Sequence, residues 1–169
     1  MTMMAPLDVG GRGEFDAVVV RTDYEDEQAW QAVKVALAER TGEPHQAPVP
    51  CLVDDPAWAG ASVDDVQAAI EADVRLHDEL SVVFLADRTT MRGGHHALLA
   101  VPAFTRQALN DDRAYEEMVE FGGEFRTVST GVQEIHTNLA LAHMDFQDFA
   151  AAAQADPSGV FRSWWRRQG

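Results

Sequence analysis

Three sets of side chains in this sequence have the type and spacing to do chemistry. The first is acidic. Asp23, Asp54, Asp55 and Asp87 each follow a stretch that reads as a β-strand. In a parallel sheet such positions gather at the carboxyl edge, where open α/β sheets place their ligands. Hard oxygen ligands converging there would hold Mg²⁺. The ion would suit phosphoryl transfer or phosphate hydrolysis, because it neutralises developing charge. The same residues also have a local reading. Asp23 is a helix cap, and Asp54-Asp55-Pro56 is turn chemistry. No glycine-rich phosphate loop and no nearby lysine accompanies them, and no cofactor other than Mg²⁺ is indicated.

The second set is Arg88, Arg92, His95 and His96, crowded into the stretch from Asp87 to His96 of an otherwise acidic chain. Gly93-Gly94 lets backbone N–H groups approach an anion, and Arg88 or Arg92 supplies a planar fork for it. The simpler reading is a solvated hairpin loop whose arginines pair with neighbouring carboxylates. Adjacent histidines that begin a strand point to opposite faces, so His95 and His96 are poor joint ligands. The third set is His136 and His143. Seven residues apart on a helix, they stand ~10 Å from each other, and a zinc pair calls for a spacing closer to ~4 residues. Both border an apolar stripe, as satisfied boundary histidines do. There is no G-x-S-x-G elbow, and Cys51, within an apolar strand, reads as packing.

The elements that position these groups follow from hydrophobic periodicity. Phe15 to Thr22 is the first strand, its Ala17–Val20 run typical of a buried one. Thr22 with Glu25, or Asp23 as a rival cap, opens a helix to about Arg40, with Trp30, Val33 and Leu37 inward and Gly42 and Pro44 at its end. Val49 to Val53 is a short strand with prolines at its start, and Trp58 packs over the core. Ser62 and Asp65 cap a helix whose face is Val63, Val66, Ile70 and Val74. Leu80 to Ala86 is the third strand, and Ala97 to Val101 a fourth, antiparallel to it across a polar loop. Residues 102–123 read as an inserted flap or helix, with a short helix after Asn110-Asp111-Asp112.

A strand from Glu124 to Val128 precedes a helix capped by Thr130 and Gln133, with Val132, Ile135, Leu139 and Ala142 as its stripe. A corner follows, in which Asp145 caps the next helix, Asp148 sits where negative charge suits the dipole, and Met144 and Phe149 form a hydrophobic staple. Asn138 flanks the corner and is placed to bind a backbone group across it. Val160 and Phe161 dock as a last short strand. The pattern is α/β: a single layered domain over 15–162 with a mixed, largely parallel central sheet of about five strands flanked by helices. Its first three strands are expected to be parallel. Residues 1–14 read as a disordered lead without a signal pattern. Residues 163–169, with Trp164-Trp165-Arg166-Arg167, read as a tail.

Composition narrows the partners. With 169 residues there is enough chain for one sizeable core. The formal net charge of −15 would repel nucleic acid and anionic membrane. No apolar run approaches the ~18 residues of a membrane span. Cys51 is the only cysteine, so no internal disulfide forms, consistent with a cytoplasmic location.

Several phrases, VVVRTDYEDEQAW, LVDDPAWAG, VFLADRTT and FRTVST…EIHTNLALAHMDFQDFA, resemble a family of small acidic bacterial domain proteins of unknown function. The matching residues include Arg21, Thr22, Asp23, Trp30, Asp54, Asp55, Pro56, Asp87, Arg88, Thr89, Asn138, Leu139, Met144, Asp145, Phe146 and Phe149. His143 departs from the family's Asn, and 102–123 is longer than its pattern. The resemblance covers roughly 15–162 and implies no activity. The residues favour a non-catalytic, acidic interaction domain that binds a basic protein partner. A metal-dependent phosphate-handling enzyme built on the strand-end aspartates stands beside that reading. So does a small-molecule binding domain built on the Arg88–His96 loop with the flap as its lid.

Overall fold

The computed structural model describes residues 6–10, 12–13, 15–39 and 50–162. The expected helix end at Gly42 and Pro44, the strand start at Pro48 and Val49, and the Trp164–Arg167 tail lie outside them. Six strands form one sheet in the order β2-β1-β3-β4-β5-β6. They are β1 (Val18–Arg21), β2 (Cys51–Val53), β3 (Val82–Ala86), β4 (Leu98–Pro102), β5 (Phe125–Thr127) and β6 (Val160–Phe161). The first three are parallel, β4 runs antiparallel to both β3 and β5, and β6 is parallel to β5. The sheet matches the expected mixed, largely parallel one of about five strands, with the short strand expected at Val160 and Phe161 as its sixth.

Alternation along the buried strands divides the core into two layers. Val82, Phe84 and Ala86 of β3 face one side with Trp30, Val33 and Leu37 of α1 (Glu27–Ala38). Val132 and Ile135 of α7 (Gly131–Ala140) and Phe146, Phe149 and Ala153 of α8 (Phe146–Ala155) complete that layer. Val83 and Leu85 face the other side, with Val66 and Ile70 of α2 (Val63–Ala72), Leu76 of α3 (Val74–Glu79) and Trp58 of a 3₁₀ turn (Pro56–Trp58). So α1, which connects β1 to β2, lies on one face, and α2 and α3, which connect β2 to β3, lie on the other. The chain leaves β1 in one direction and returns to its opposite side at β3. This makes the gap between the carboxyl ends of β1 and β3 the topological switch point of the sheet.

Local chemistry explains most boundaries, and where it was misjudged a reason is visible. Ser62 and Asp65 form a reciprocal capping box on α2. The cap of α1 is Asp26, whose carboxylate accepts from Ala29 N–H at 2.9 Å, and not Thr22 or Asp23. Thr22 is still part of the sheet edge, its amide donating to Ala86 O. Val74 is 79% exposed, because the chain breaks at Asp73 and restarts as α3, which turns Val74 off the α2 stripe. Thr130 caps nothing. Its backbone is already helical, and the carbonyls of Val128 and Ser129 take the first N–H groups. Gln133 instead bridges to the Phe15 carbonyl, the Ala17 amide and the Thr137 hydroxyl. Ala142, expected on the α7 stripe, lies beyond the helix at φ 56.

Gly131 opens α7 where a Cβ would collide with the Thr127 hydroxyl and press on the Phe161 ring, so only glycine fits there. At the α7–α8 corner the Asn138 carbonyl accepts from His143 and Met144 N–H, while its side-chain amide donates to Glu134 O at 2.8 Å. Asp145 N–H donates to the Asp148 carboxylate at 2.9 Å. Met144 and Phe149 share the first core layer. Within the expected lead, Leu7 and Arg12 are buried, and Arg12 pairs with Glu79 of α3 at 2.9 Å. That part of residues 1–14 therefore belongs to the packed unit. Among the described residues no helix is long and apolar enough to cross a membrane.

Candidate functional site

The carboxyl end of the parallel strands carries all four aspartates singled out in the sequence, and each has a partner there. Arg21, the last residue of β1, is buried, and each nitrogen of its guanidinium donates a hydrogen bond. Nη1 donates to Asp54 at 3.2 Å, Nη2 to Glu27 at 2.9 Å and Nε to the Asp23 carbonyl at 3.0 Å. The guanidinium also lies 4.0 Å from the centre of the Tyr24 ring. The second Asp54 oxygen accepts from the Trp30 indole at 3.0 Å. Burial, and then the Asp54 carboxylate, push the Tyr24 phenol above its ordinary range. The Gln31 amide and the Arg21 guanidinium hold the Glu27 carboxyl below its own. A side-chain oxygen of Asp23 accepts from Glu25 N–H, and Asp55 caps the 3₁₀ turn through Ala57 N–H. Among the described residues no three His, Cys, Asp or Glu side chains are grouped so as to hold a metal ion.

Asp87 closes a second cluster. Its two oxygens take a fork from Arg126 of β5, both contacts at 2.8 Å. Asp87 also caps α4 (Arg88–Arg92), accepting from Thr90 N–H at 3.1 Å. The stretch expected to be a polar hairpin loop is therefore a helix with an aspartate cap, and the turn into β4 follows it. Thr90 is buried, and its hydroxyl reaches Ala97 O at 2.8 Å. His96 has a left-handed backbone, φ 47, and its Nδ1 lies 3.0 Å from Thr90 O. A carbonyl oxygen only accepts, so Nδ1 is the donor in this contact. Burial pushes the Asp87 carboxyl upward, but the hydrogen bonds from Arg126 and Thr90 outweigh it and hold the group below the usual carboxylate range.

Arg88 and Arg92 differ from the rest. Among the described residues Arg12, Arg21, Arg75, Arg106, Arg113, Arg126 and Arg162 each have a carboxylate partner. Arg88 and Arg92 are exposed and have none. The expectation that they pair with neighbouring carboxylates therefore fails. The helix turns Thr90 and Met91 inward, which leaves Arg88, Thr89 and Arg92 on the outer face. His95 is also exposed.

The stretch expected to act as a lid is a helical arm, α5 (Arg106–Leu109) and α6 (Asp112–Met118). It leaves β4 at Pro102, which pairs with Val82 at the start of β3. The arm therefore stands at the opposite end of the strands from α4, and cannot cover Arg88 or His96. A concavity of about 390 Å³ on it is lined by Arg106, Gln107, Asn110 and Asp112.

A family model described as Domain of unknown function (DUF6924) matches residues 16–164. The chain belongs to this family. No curated protein and no solved structure matches it. The matched span runs from before β1 to beyond β6, so both arginine–aspartate clusters, α4 and the arm lie inside the family's domain.

Arg126 and Thr90 were not singled out in the sequence. Arg126 alternates with the inward Phe125 and Thr127, which marks it as facing away from that layer. Nothing local announces a partner 39 residues distant. Burial pushes the half-buried Cys51 thiol upward, away from an activated thiolate. His136 is buried, and His143 is exposed beyond the end of α7, so the two do not share a helix face.

Proposed function

We propose that the chain is a non-catalytic, acidic interaction domain that docks a basic protein partner on the arm between β4 and β5. The observation that carries this reading is the arm's exposure. Residues 104–124 include no buried side chain, although they lie between two strands of the sheet. They carry Asp111, Asp112, Glu116, Glu117, Glu120 and Glu124 against Arg106 and Arg113. Phe121, 39% exposed, stands beside these carboxylates in the sequence. Met118 of α6 packs half-buried against the first core layer, but neither helix has a fully buried residue and so each gains little from packing; an apolar ring flanked by carboxylates suits a partner with a basic, partly apolar face. The strand-end aspartates support the same reading. The fold uses Asp54 and Asp87 to neutralise arginines, Asp55 and Asp87 as caps and Asp23 in a local turn, which leaves the acidic surface as the chain's chief feature.

The test is a titration of the amide-labelled protein with a lysine-rich peptide bearing one aromatic side chain, read by NMR. The reading expects shifts concentrated in 104–124 that weaken as salt is raised. The triple variant Glu116→Lys, Glu117→Lys and Glu120→Lys should abolish them, while Asp64→Lys with Glu71→Lys on α2 should not. Shifts spread evenly over the acidic surface, or equal losses in both variants, would sink the proposal.

A further inference from the structure

At the end of the sheet opposite the arm, the outer face of α4 has a different character. We propose that Arg88 and Arg92 form a binding site for a compact, doubly charged oxyanion of the phosphate class, carried on a small molecule.

The first ground is what the two arginines lack. Asp23, Glu25 and Asp26 stand at the same end of the sheet, on the segment that follows β1, and none engages Arg88 or Arg92. In a chain with a net charge of −15, every other described arginine has found a carboxylate. Arg88 and Arg92 stand four residues apart on one helical face, and a guanidinium offers a planar fork to an oxyanion. Their combined charge matches a phosphate dianion, whereas a single carboxylate would satisfy only one of them. Thr89, exposed between them, adds a hydroxyl.

The second ground is how firmly this short face is held. A five-residue helix has no stability of its own. α4 is fixed by the Asp87 cap, by the Arg126 fork on that aspartate, by the Thr90 hydroxyl on Ala97 O and by His96 on Thr90 O. His96 makes the last of these from a left-handed backbone, a conformation uncommon outside glycine. All four restraints act on the inner side of the helix, and what they present outward is Arg88, Thr89 and Arg92. Fixing the backbone that carries Arg88 and Arg92 lowers part of the ordering cost of binding.

The third ground is position. α4 begins directly after β3, beside the switch point between β1 and β3, where open α/β sheets receive ligands. The net charge narrows the ligand further: an extended polyanion would meet the acidic surface on either side, and a small dianion would not.

The experiment is an NMR titration of the full chain with inorganic phosphate. Chloride at matched ionic strength and malonate, a small dicarboxylate, serve as competitors for the assignment. The site predicts saturable shifts at the amides of 88–96 and at the Nε–H groups of Arg88 and Arg92 with phosphate. The double variant Arg88→Gln with Arg92→Gln should weaken phosphate at least ~10-fold. Arg88→Lys with Arg92→Lys, which keeps the charge and loses the fork, should fall between. Both variants change exposed side chains, and an unchanged amide spectrum outside 88–96 shows that the fold is retained. Equal shifts with chloride or malonate, or unchanged phosphate affinity in the Gln variant, would overturn the assignment.

Discussion

Arg21 and Arg88 stand within the same end of one sheet, the first closing β1 and the second following β3, and the fold treats them in opposite ways. Arg21 is buried, so its charge is met on every side by Asp54, Glu27, the Asp23 carbonyl and the Tyr24 ring. Arg126 with Asp87 repeats the pattern half-buried. Arg88 and Arg92 face water, which stabilises their charge without help. The difference shows where the requirement for a partner comes from. Desolvation makes an arginine's hydrogen bonds obligatory and hence structural. An exposed arginine is under no such demand: Arg75 and Arg113 still pair with carboxylates on their own helices, whereas Arg88 and Arg92 stay available to a ligand. The same residue type, motif-adjacent in both cases, is framework in one place and candidate site in the other.

The comparison breaks most sharply at Arg21. Arg21→Met should lower stability by about 2–4 kcal/mol in urea unfolding, through lost stacking, lost hydrogen bonds and an unneutralised acidic pair. The loss stays below the extreme for a buried pair because Asp54 and Glu27 remain partly in water, with side chains 40% and 66% exposed. A loss under 1 kcal/mol would mean that the cluster is ornamental.

Asp87→Asn is the intermediate case. It keeps the shape and an acceptor for Thr90 N–H but removes the charge facing Arg126, and should cost about 1–2 kcal/mol near neutral pH. The folded carboxyl titrates below its ordinary 3.8. Its contribution is therefore complete above that value and is lost as pH falls through the lower, folded pKa. The gap between the two proteins should close on acidification, and a gap independent of pH would show that the Arg126 pair contributes nothing through charge.

The smallest effect belongs to the exposed pair. Arg88→Gln with Arg92→Gln should change stability by less than about 0.5 kcal/mol, even though it removes two charges. A larger loss would place these arginines with Arg21, as framework, and remove the contrast.

How far each region was legible follows from the range of its interactions. The buried strands show as apolar runs in single local stretches, and the box at Ser62 and Asp65 and the corner at Asp145 rest on contacts a few residues long. Periodicity and cap chemistry report such contacts directly. α4 was read as a loop because five residues rich in Gly neighbours and charge carry no periodicity. Its cap, Asp87, was in view, but the fork from Arg126 that fixes it comes from another strand. Thr130 misled because its side chain had the right type while its backbone had already entered the helix.

By itself, then, the sequence determined the α/β class, the inward faces of the strands and main helices, the acidic character and the positions where carboxylates would crowd. These are properties of composition and of spacing along the chain. Only the tertiary structure decided that Asp54 and Asp87 pair with Arg21 and Arg126, that Arg88 and Arg92 are left unpaired, and that the acidic arm and the open arginines stand at opposite ends of the sheet. Charge pairing depends on which residues the strand order brings within a few ångströms, and strand order is not written in any local stretch.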